Sequence, residues 1–370
     1  MANPNPLVNA QAYEVKSTHK VIHVIDSLAV GGAQDIIRSL LVYGKYPQEV
    51  IVLHASPHQV EQWRNLASIR ALASHRRLSL LSLIKLAALI RKNPDAIFNV
   101  HLQVSNLFMI SMRALMKFKL VLTLHAVPAQ LHRWYLRIYR VLCAKSDAFI
   151  VEDRINKEFL ESIRIHPSKI FYIPIGTPHA DAPLESDNDV RTQFGIPQTS
   201  PIFLNIARMV APKGQVDAIE ALKIVNEKGH DAHLVIVGDG PLRATLEKII
   251  NLHGLRSRVH LAGFRTDLHN FYIKANAFLM PCHDESMGVV VYEALAYGLK
   301  VIAYDSGSIR EAIDSEEKGS VIARESRALA QTMIQYLMNK SNSVHTLDKH
   351  TFSASRMAES YDQVYAQLIL

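Results

Sequence analysis

Two carboxylates, Glu285 and Glu293, bracket Gly288 directly after an apolar run at residues 277–281. The pattern reads as a buried parallel strand, a loop that carries Glu285, and a helix that starts at Gly288 and carries Glu293 in its first turns. In parallel α/β sheets, ligands bind beyond the carboxyl ends of the strands, where helix N-termini present unpaired amides to anions. Carboxylates at such a place accept hydrogen bonds from hydroxyls. The combination suits a ligand with both phosphates and sugar hydroxyls, which is the description of a nucleotide sugar.

Three more loops carry compatible chemistry. After the apolar run at 201–207 come Arg208 and, past Pro212, Lys213 and Gly214. Two cations around a proline turn at a helix start can neutralise a diphosphate; in isolation the same pair would read as two solvated charges. Gly31 and Gly32 follow the first apolar run and lead into a helical pattern. Lacking a Cβ, they let the backbone approach a ligand closely, although a plain turn would look the same. Asp239, in the turn 237–241, reads as an N-cap ahead of Pro241 rather than as a metal ligand. His101 and His125 each close an apolar run, at the strand ends where ligands are met; a buried, hydrogen-bonded histidine is the plainer alternative for both. No Asp-x-Asp pair follows a strand, so neither a metal nor a cofactor is expected.

These residues need a scaffold that repeats strand, loop and helix. The 370 residues are long for one core and fit two α/β domains. Strands are expected over 21–26, 49–53, 96–101, 120–125, 147–151 and 170–174, with helices such as 33–43, 79–91, 106–116 and 133–144 between them. Prolines and acidic residues interrupt the rhythm over 177–200, and strands resume at 201–207, 232–237, 259–262, 277–281, 301–304 and 320–323. The division is a polar extension (1–19), an N-terminal domain (20–176), a linker (177–200), a C-terminal domain (201–350) and a last helix (351–370) that packs back toward the first domain. Alternating strands and helices imply two doubly wound, Rossmann-like α/β domains, with the active site expected in the cleft between them.

Composition narrows the setting. Cys143 and Cys282 lie far apart without metal-ligand spacing, as in a reducing cytoplasm. Residues 1–20 show no signal-peptide pattern, and the longest apolar run, 78–90, is broken by Ser79, Ser82 and Lys85 and is too short for a bilayer. Up to Ala180 there are 22 Lys and Arg against 11 Asp and Glu, giving +11; the remaining 19 against 23 give −4, which sum to the net +7. A basic first half is suited to an anionic partner. Around residues 131–145, Arg133, Arg137 and Arg140 recur at helical spacing beside Trp134, Tyr135 and Ile138. That is the make-up of a helix at an anionic membrane surface, and equally of a solvated basic face. A cytoplasmic protein, peripheral on the inner face of the membrane if the first of these holds, is the expectation; nucleic acid is not, because no binding motif accompanies the charge.

Taken together, the motifs resemble those of retaining glycosyltransferases of the GT-B fold, a large family of nucleotide-sugar-dependent enzymes, from about Lys20 to the C-terminus. The most specific element is E-x7-E, here Glu285 and Glu293; the stretches 294–303, 307–311 and 263–267 are similar as well. Ser286-Met287-Gly288 replaces the usual Gly-Phe-Gly, and Ile175-Gly176-Thr177 the usual Asn-Gly-Val. The resemblance implies that Glu285 holds donor-sugar hydroxyls with help from Met287, Gly288 and Val289, and that Glu293 holds the ribose. It implies that Arg208 and Lys213 stabilise the leaving diphosphate, that Gly31 and Gly32 approach it, that His125 lies beside the donor sugar and that His101 faces the acceptor. A hexose or N-acetylhexosamine would pass from a UDP- or GDP-sugar to a glycan or lipid-linked acceptor, without metal, in bacterial surface polysaccharide, lipopolysaccharide or lipid-linked glycan assembly. A nucleotide-sugar epimerase of the same architecture and a non-catalytic sugar-binding relative are the alternatives.

Overall fold

The computed structural model of the protein describes residues 19–29, 31–73, 80–125, 137, 140–178, 189–284, 288–306, 309–339 and 352–369. Short runs of β-branched and aliphatic residues form its strands, most of them buried on both faces, as parallel sheets covered by helices require. The chain divides into two compact units, one of residues 6–178 with 354–370 and one of 1–5 with 179–353.

The first unit holds β1 (Val21–Ile25), β2 (Gln48–His54), β3 (Ser68–Ala73), β4 (Ile97–His101), β5 (Lys119–Leu124), β6 (Ala148–Val151) and β7 (Ile170–Tyr172). They lie in the order β3-β2-β1-β4-β5-β6-β7, all parallel. Its helices include α1 (Gly32–Tyr43), α2 (Pro57–Trp63), α3 (Leu80–Lys92), α4 (Gln103–Leu115) and α5 (Arg154–Ser162). Alternation along each strand separates two faces. Ile22, Val24, Phe98, Val100, Leu120 and Leu122 pack into one large apolar core. The residues between them, His23, Asn99, His101 and Thr123, are just as deeply buried on the opposite face.

The second unit holds β8 (Ile202–Ile206), β9 (His233–Val237), β10 (Val259–Gly263), β11 (Ala277–Met280), β12 (Lys300–Tyr304) and β13 (Gly319–Ile322), in the order β10-β9-β8-β11-β12-β13, again parallel. With them are α6 (Val190–Phe194), α7 (Gln215–Glu227), α8 (Arg243–Leu252), α9 (Leu268–Lys274), α10 (Val289–Ala296), α11 (Ile309–Ala312) and α12 (Ser326–Met338). The last helix, α13 (Ala354–Ile369), belongs to the first unit. Its buried Met357, Tyr361 and Tyr365 lie on one side, and Tyr365 Oη accepts from Asn99 Nδ2 on β4 at 2.7 Å. Asp362 accepts from the Lys45 amide at 2.9 Å, beyond the end of α1.

Most strand expectations agree with the observed strands to within a residue or two at their ends. Four elements depart from the sequence reading. β3 carries an edge strand's half-exposed alternation, so no continuous apolar run announces it. α2 and α5 are short helices set by polar caps: Ser56 and Gln59 form a capping box, and Asp153 accepts from the Asn156 amide. The stretch read as linker contains α6, where Asp189 caps the start and left-handed Gly195 ends the helix. Of the helix expected over 133–144, Arg133 and Trp134 lie outside the described residues, while Arg137 and Arg140 are helical and exposed.

Tyr365→Phe tests the seat of α13. It leaves the buried Asn99 amide without its acceptor and is expected to lower unfolding stability by about 1–3 kcal/mol. Denaturant titration of both proteins reads this directly, and unchanged stability would contradict the assigned bond.

Candidate active site

In both sheets the order of the strands reverses, between β1 and β4 in one and between β8 and β11 in the other. A crevice opens beyond the carboxyl ends of the strands at such a reversal, because the connections on either side leave in opposite directions. Arg208 and Lys213 follow β8, and Gly288 and Glu293 follow β11, so all four stand on the two strands of the second reversal.

Backbone contacts lock these two loops together. After β8 the chain makes a short 3-10 turn over Ala211–Lys213 and then, at Gly214, takes a left-handed conformation (φ 65°) that starts α7. Gly214 is pressed against the Pro281 carbonyl, where any Cβ would overlap that oxygen. The Pro212 carbonyl accepts from the His283 amide at 2.8 Å and from Cys282 Sγ at 3.0 Å. His283 Nε2 lies 2.8 Å from Asp217 Oδ2 in the first turn of α7. The loop after β9 is tied in as well: the Met209 amide donates to the Asp239 carbonyl and the Leu242 amide to the Met209 carbonyl. Arg208 is exposed and Lys213 half-buried on this framework.

Gly288 precedes α10 in the left-handed region (φ 60°), which turns the chain into the helix. Val289 begins the helix and is half-buried. Glu293 lies one turn further on, 7 % exposed, and accepts from Tyr272 Oη at 2.7 Å. Tyr297 stacks on Tyr272, ring centroids 5.0 Å apart. Burial pushes the Glu293 carboxyl up to about 7, against the downward pull of the Tyr272 hydroxyl. Tyr272 is itself pushed well up, by burial and then by the neighbouring carboxylate. Glu285 and Met287 lie outside the described residues. Asp239 is not an N-cap: α8 starts later, at Arg243, and Asp239 Oδ1 accepts from the adjacent Gly240 amide at 2.7 Å. Pro241 therefore sits in the turn before the helix, and the cap expected from its position does not form.

In the first unit, Gly31 and Gly32 stand at the start of α1, half-exposed, with Gln34 bracing the turn through a 2.8 Å bond to the Ser27 carbonyl. His101 ends β4 and His125 follows β5. Both are buried, and every ring nitrogen of the two is taken. His101 bridges His23 (3.1 Å) and His125 (2.9 Å), and His125 reaches Glu152 at 3.1 Å. Sequence reasoning missed His23, Glu152, Tyr272 and His283. The signal for the first was present: a histidine at the alternate position of an otherwise apolar strand.

Two family models match successive parts of the chain, glycosyltransferase family 4 over residues 45–180 and glycosyl transferases group 1 over residues 186–352. The chain belongs to the group 1, family 4 glycosyltransferases. The alpha-D-kanosaminyltransferase of Streptomyces kanamyceticus is 32% identical over 138 residues, which is 36% of this chain and 35% of that one. A GDP-mannose-dependent phosphatidylinositol monomannoside mannosyltransferase of Mycobacterium tuberculosis is 32% identical over 154 residues, 39% of this chain and 40% of that one. The matched stretch thus spans well under half the length of these two relatives. HepE of Anabaena, solved with UDP, superposes with a TM-score of 0.80 at 17% identity, covering 94% of this chain and 100% of HepE. The two parallel sheets make this glycosyltransferase a GT-B fold.

The raised Glu293 value has a consequence for stability. The fold favours the neutral acid, so this contribution is fully present below the ordinary value of 4.5 and is lost as pH rises through about 7. Without nucleotide, Glu293→Gln is expected to match the parent at pH 5 and to exceed its stability at pH 8 by up to about 3 kcal/mol. A stability difference that is the same at both pH values would contradict it.

Proposed function

We propose that the protein is a retaining transferase that moves a hexose or N-acetylhexosamine from a UDP- or GDP-sugar to an acceptor hydroxyl. The observation that carries this reading is the second strand-order reversal, with Arg208 and Lys213 on one side and the helix of Glu293 on the other. Two cations beside a helix that carries a buried carboxylate match the two ends of a nucleoside diphosphate. Glu293, ionised once ribose hydroxyls add to the bond from Tyr272, accepts from both of them; Gly288, Val289 and the preceding Met287 offer amides to the phosphate and sugar. Glu285 takes the sugar hydroxyls. In this reading the donor's first-unit contacts come from Gly31, Gly32 and His125.

Breaking the glycosidic bond makes the sugar oxocarbenium-like and loads negative charge onto the diphosphate. Fixed cations lower that barrier because they need no reorganisation as the charge arrives. Arg208 supplies a planar fork of donors and Lys213 a compact charge, so no metal is required. The departing phosphate takes the acceptor's proton on the same face, which retains the anomeric configuration. For the acceptor, the basic balance of the first 180 residues, with Arg137 and Arg140 exposed, favours an anionic or lipid-linked glycan at the inner membrane face. Among the described residues no helix is long and apolar enough to cross a membrane.

Arg208→Ala and Lys213→Ala test the reading. With the donor found by screening UDP- and GDP-sugars, each is expected to lower kcat on the order of a hundredfold while raising KM far less. Normal kcat with a raised KM would show uniform binding instead, and no turnover of any such donor by the parent would remove the proposal.

A further inference from the structure

Beneath α13, polar side chains cross the first sheet in an unbroken line, half-buried at Gln48 and buried from His23 onward. Gln48 Nε2 donates to the Leu40 carbonyl at 2.6 Å, so its Oε1, 2.7 Å from His23 Nε2, is an acceptor and His23 Nε2 carries hydrogen. Burial lowers His23 to about 4, and His101 lies well below its ordinary value through burial, then the nearness of His125 and His23. Both rings are neutral. His23 Nδ1 therefore accepts, and the hydrogen of that 3.1 Å contact sits on His101 Nε2. By the same step His101 Nδ1 accepts from His125 Nε2 at 2.9 Å. One contact remains, His125 Nδ1 to Glu152 Oε2 at 3.1 Å, and it too needs a hydrogen. With His125 Nε2 already donating to His101, this last hydrogen lies between the ring and the carboxyl group.

We propose that Gln48, His23, His101 and Glu152 are positioning residues that hold His125 as an imidazolium paired to a buried carboxylate. The direction of the line is set at its far end, by a glutamine amide that cannot reverse without facing its oxygen to the Leu40 carbonyl. His101 is thereby a link in the line rather than a free acceptor-side group. Thr123 Oγ1 donates to Asn99, Asn99 donates to Tyr365, and burial, then the Glu152 charge, keep the Tyr361 hydroxyl well above its ordinary value. Glu152 Oε1 has no hydrogen-bond partner among the described residues, so the imidazolium is what compensates this carboxylate. With both nitrogens occupied, His125 gives and takes no proton during transfer. It offers a fixed positive charge that favours the diphosphate as it departs. This last step rests on the reading above, that His125 lies beside the donor.

Nitrogen-15 NMR of histidine-labelled protein at pH 7.5, assigned with His23→Asn and His101→Asn, tests the arrangement without any substrate. The expected spectrum has hydrogen on Nε2 alone in His23 and His101, and on both nitrogens of His125. In Gln48→Leu, which removes the acceptor far from His125, the His125 ring is expected to lose its second hydrogen; a purely structural Gln48 would leave that ring as it was. In Glu152→Gln the ring is likewise expected to be neutral, with kcat reduced at least about tenfold and donor KM within about twofold. A neutral His125 in the parent, or hydrogen on Nδ1 of His23 or His101, would overturn the proposal. Undiminished kcat in a Glu152→Gln protein whose ring is neutral would overturn its catalytic part. Rings as expected in a protein that turns over no nucleotide sugar would uphold the arrangement and sink the functional reading instead.

Discussion

The seat of Gly214 against the Pro281 carbonyl fixes how closely the loops after β8 and β11 approach each other. Parallel strands supply only the direction in which those loops leave the sheet. The separation of the cations from the helix of Glu293 is set by this contact and by the bonds that the Pro212 carbonyl accepts from the residue pair after Pro281. A side chain at Gly214 would meet a disfavoured backbone angle and no space, so one loop would have to move. The loop after β9 is drawn to the same point through Met209. Much of the candidate site is therefore built from backbone, and the side chains with charge to offer are carried on a frame that has little freedom to shift.

The first unit solves a different problem. One face of its sheet is an ordinary apolar core, and the other buries histidines, an asparagine, a threonine and a glutamate under a helix from the far end of the chain. Burying such groups is costly unless each finds a partner. Here partners are found across the strands, so the sheet's register becomes a condition for satisfying them. A hydrogen-bonded line of this kind has a direction as well as a geometry, and the direction fixes where an extra proton resides. Replacement by aliphatic residues would give a simpler core and no charge at the end of β5.

The sequence made the architecture legible because buried parallel strands announce themselves as apolar runs and because glycines and prolines mark their ends. β3 escaped because an edge strand carries Ser68 and Arg70 in place of such a run. α2 and α6 escaped because caps, more than apolar periodicity, define helices that short. The donor-side residues were legible because they follow their strands directly in sequence. The partners of Glu293 and His125 were not. Tyr272 and Tyr297 meet Glu293 through packing, and His23 meets His101 only because β1 and β4 are neighbours, which the run of strands along the chain does not reveal. Asp239 was misread for a local reason: Pro241 falls before the helix, so the carboxylate turns back on the next amide.

A structure of the protein with UDP or GDP bound tests the donor site directly. The diphosphate is expected within hydrogen-bonding distance of Arg208 and Lys213, and the ribose hydroxyls on the Glu293 carboxylate. A nucleotide seated elsewhere, or one bound there with its ribose turned to solvent and away from Glu293, would contradict it.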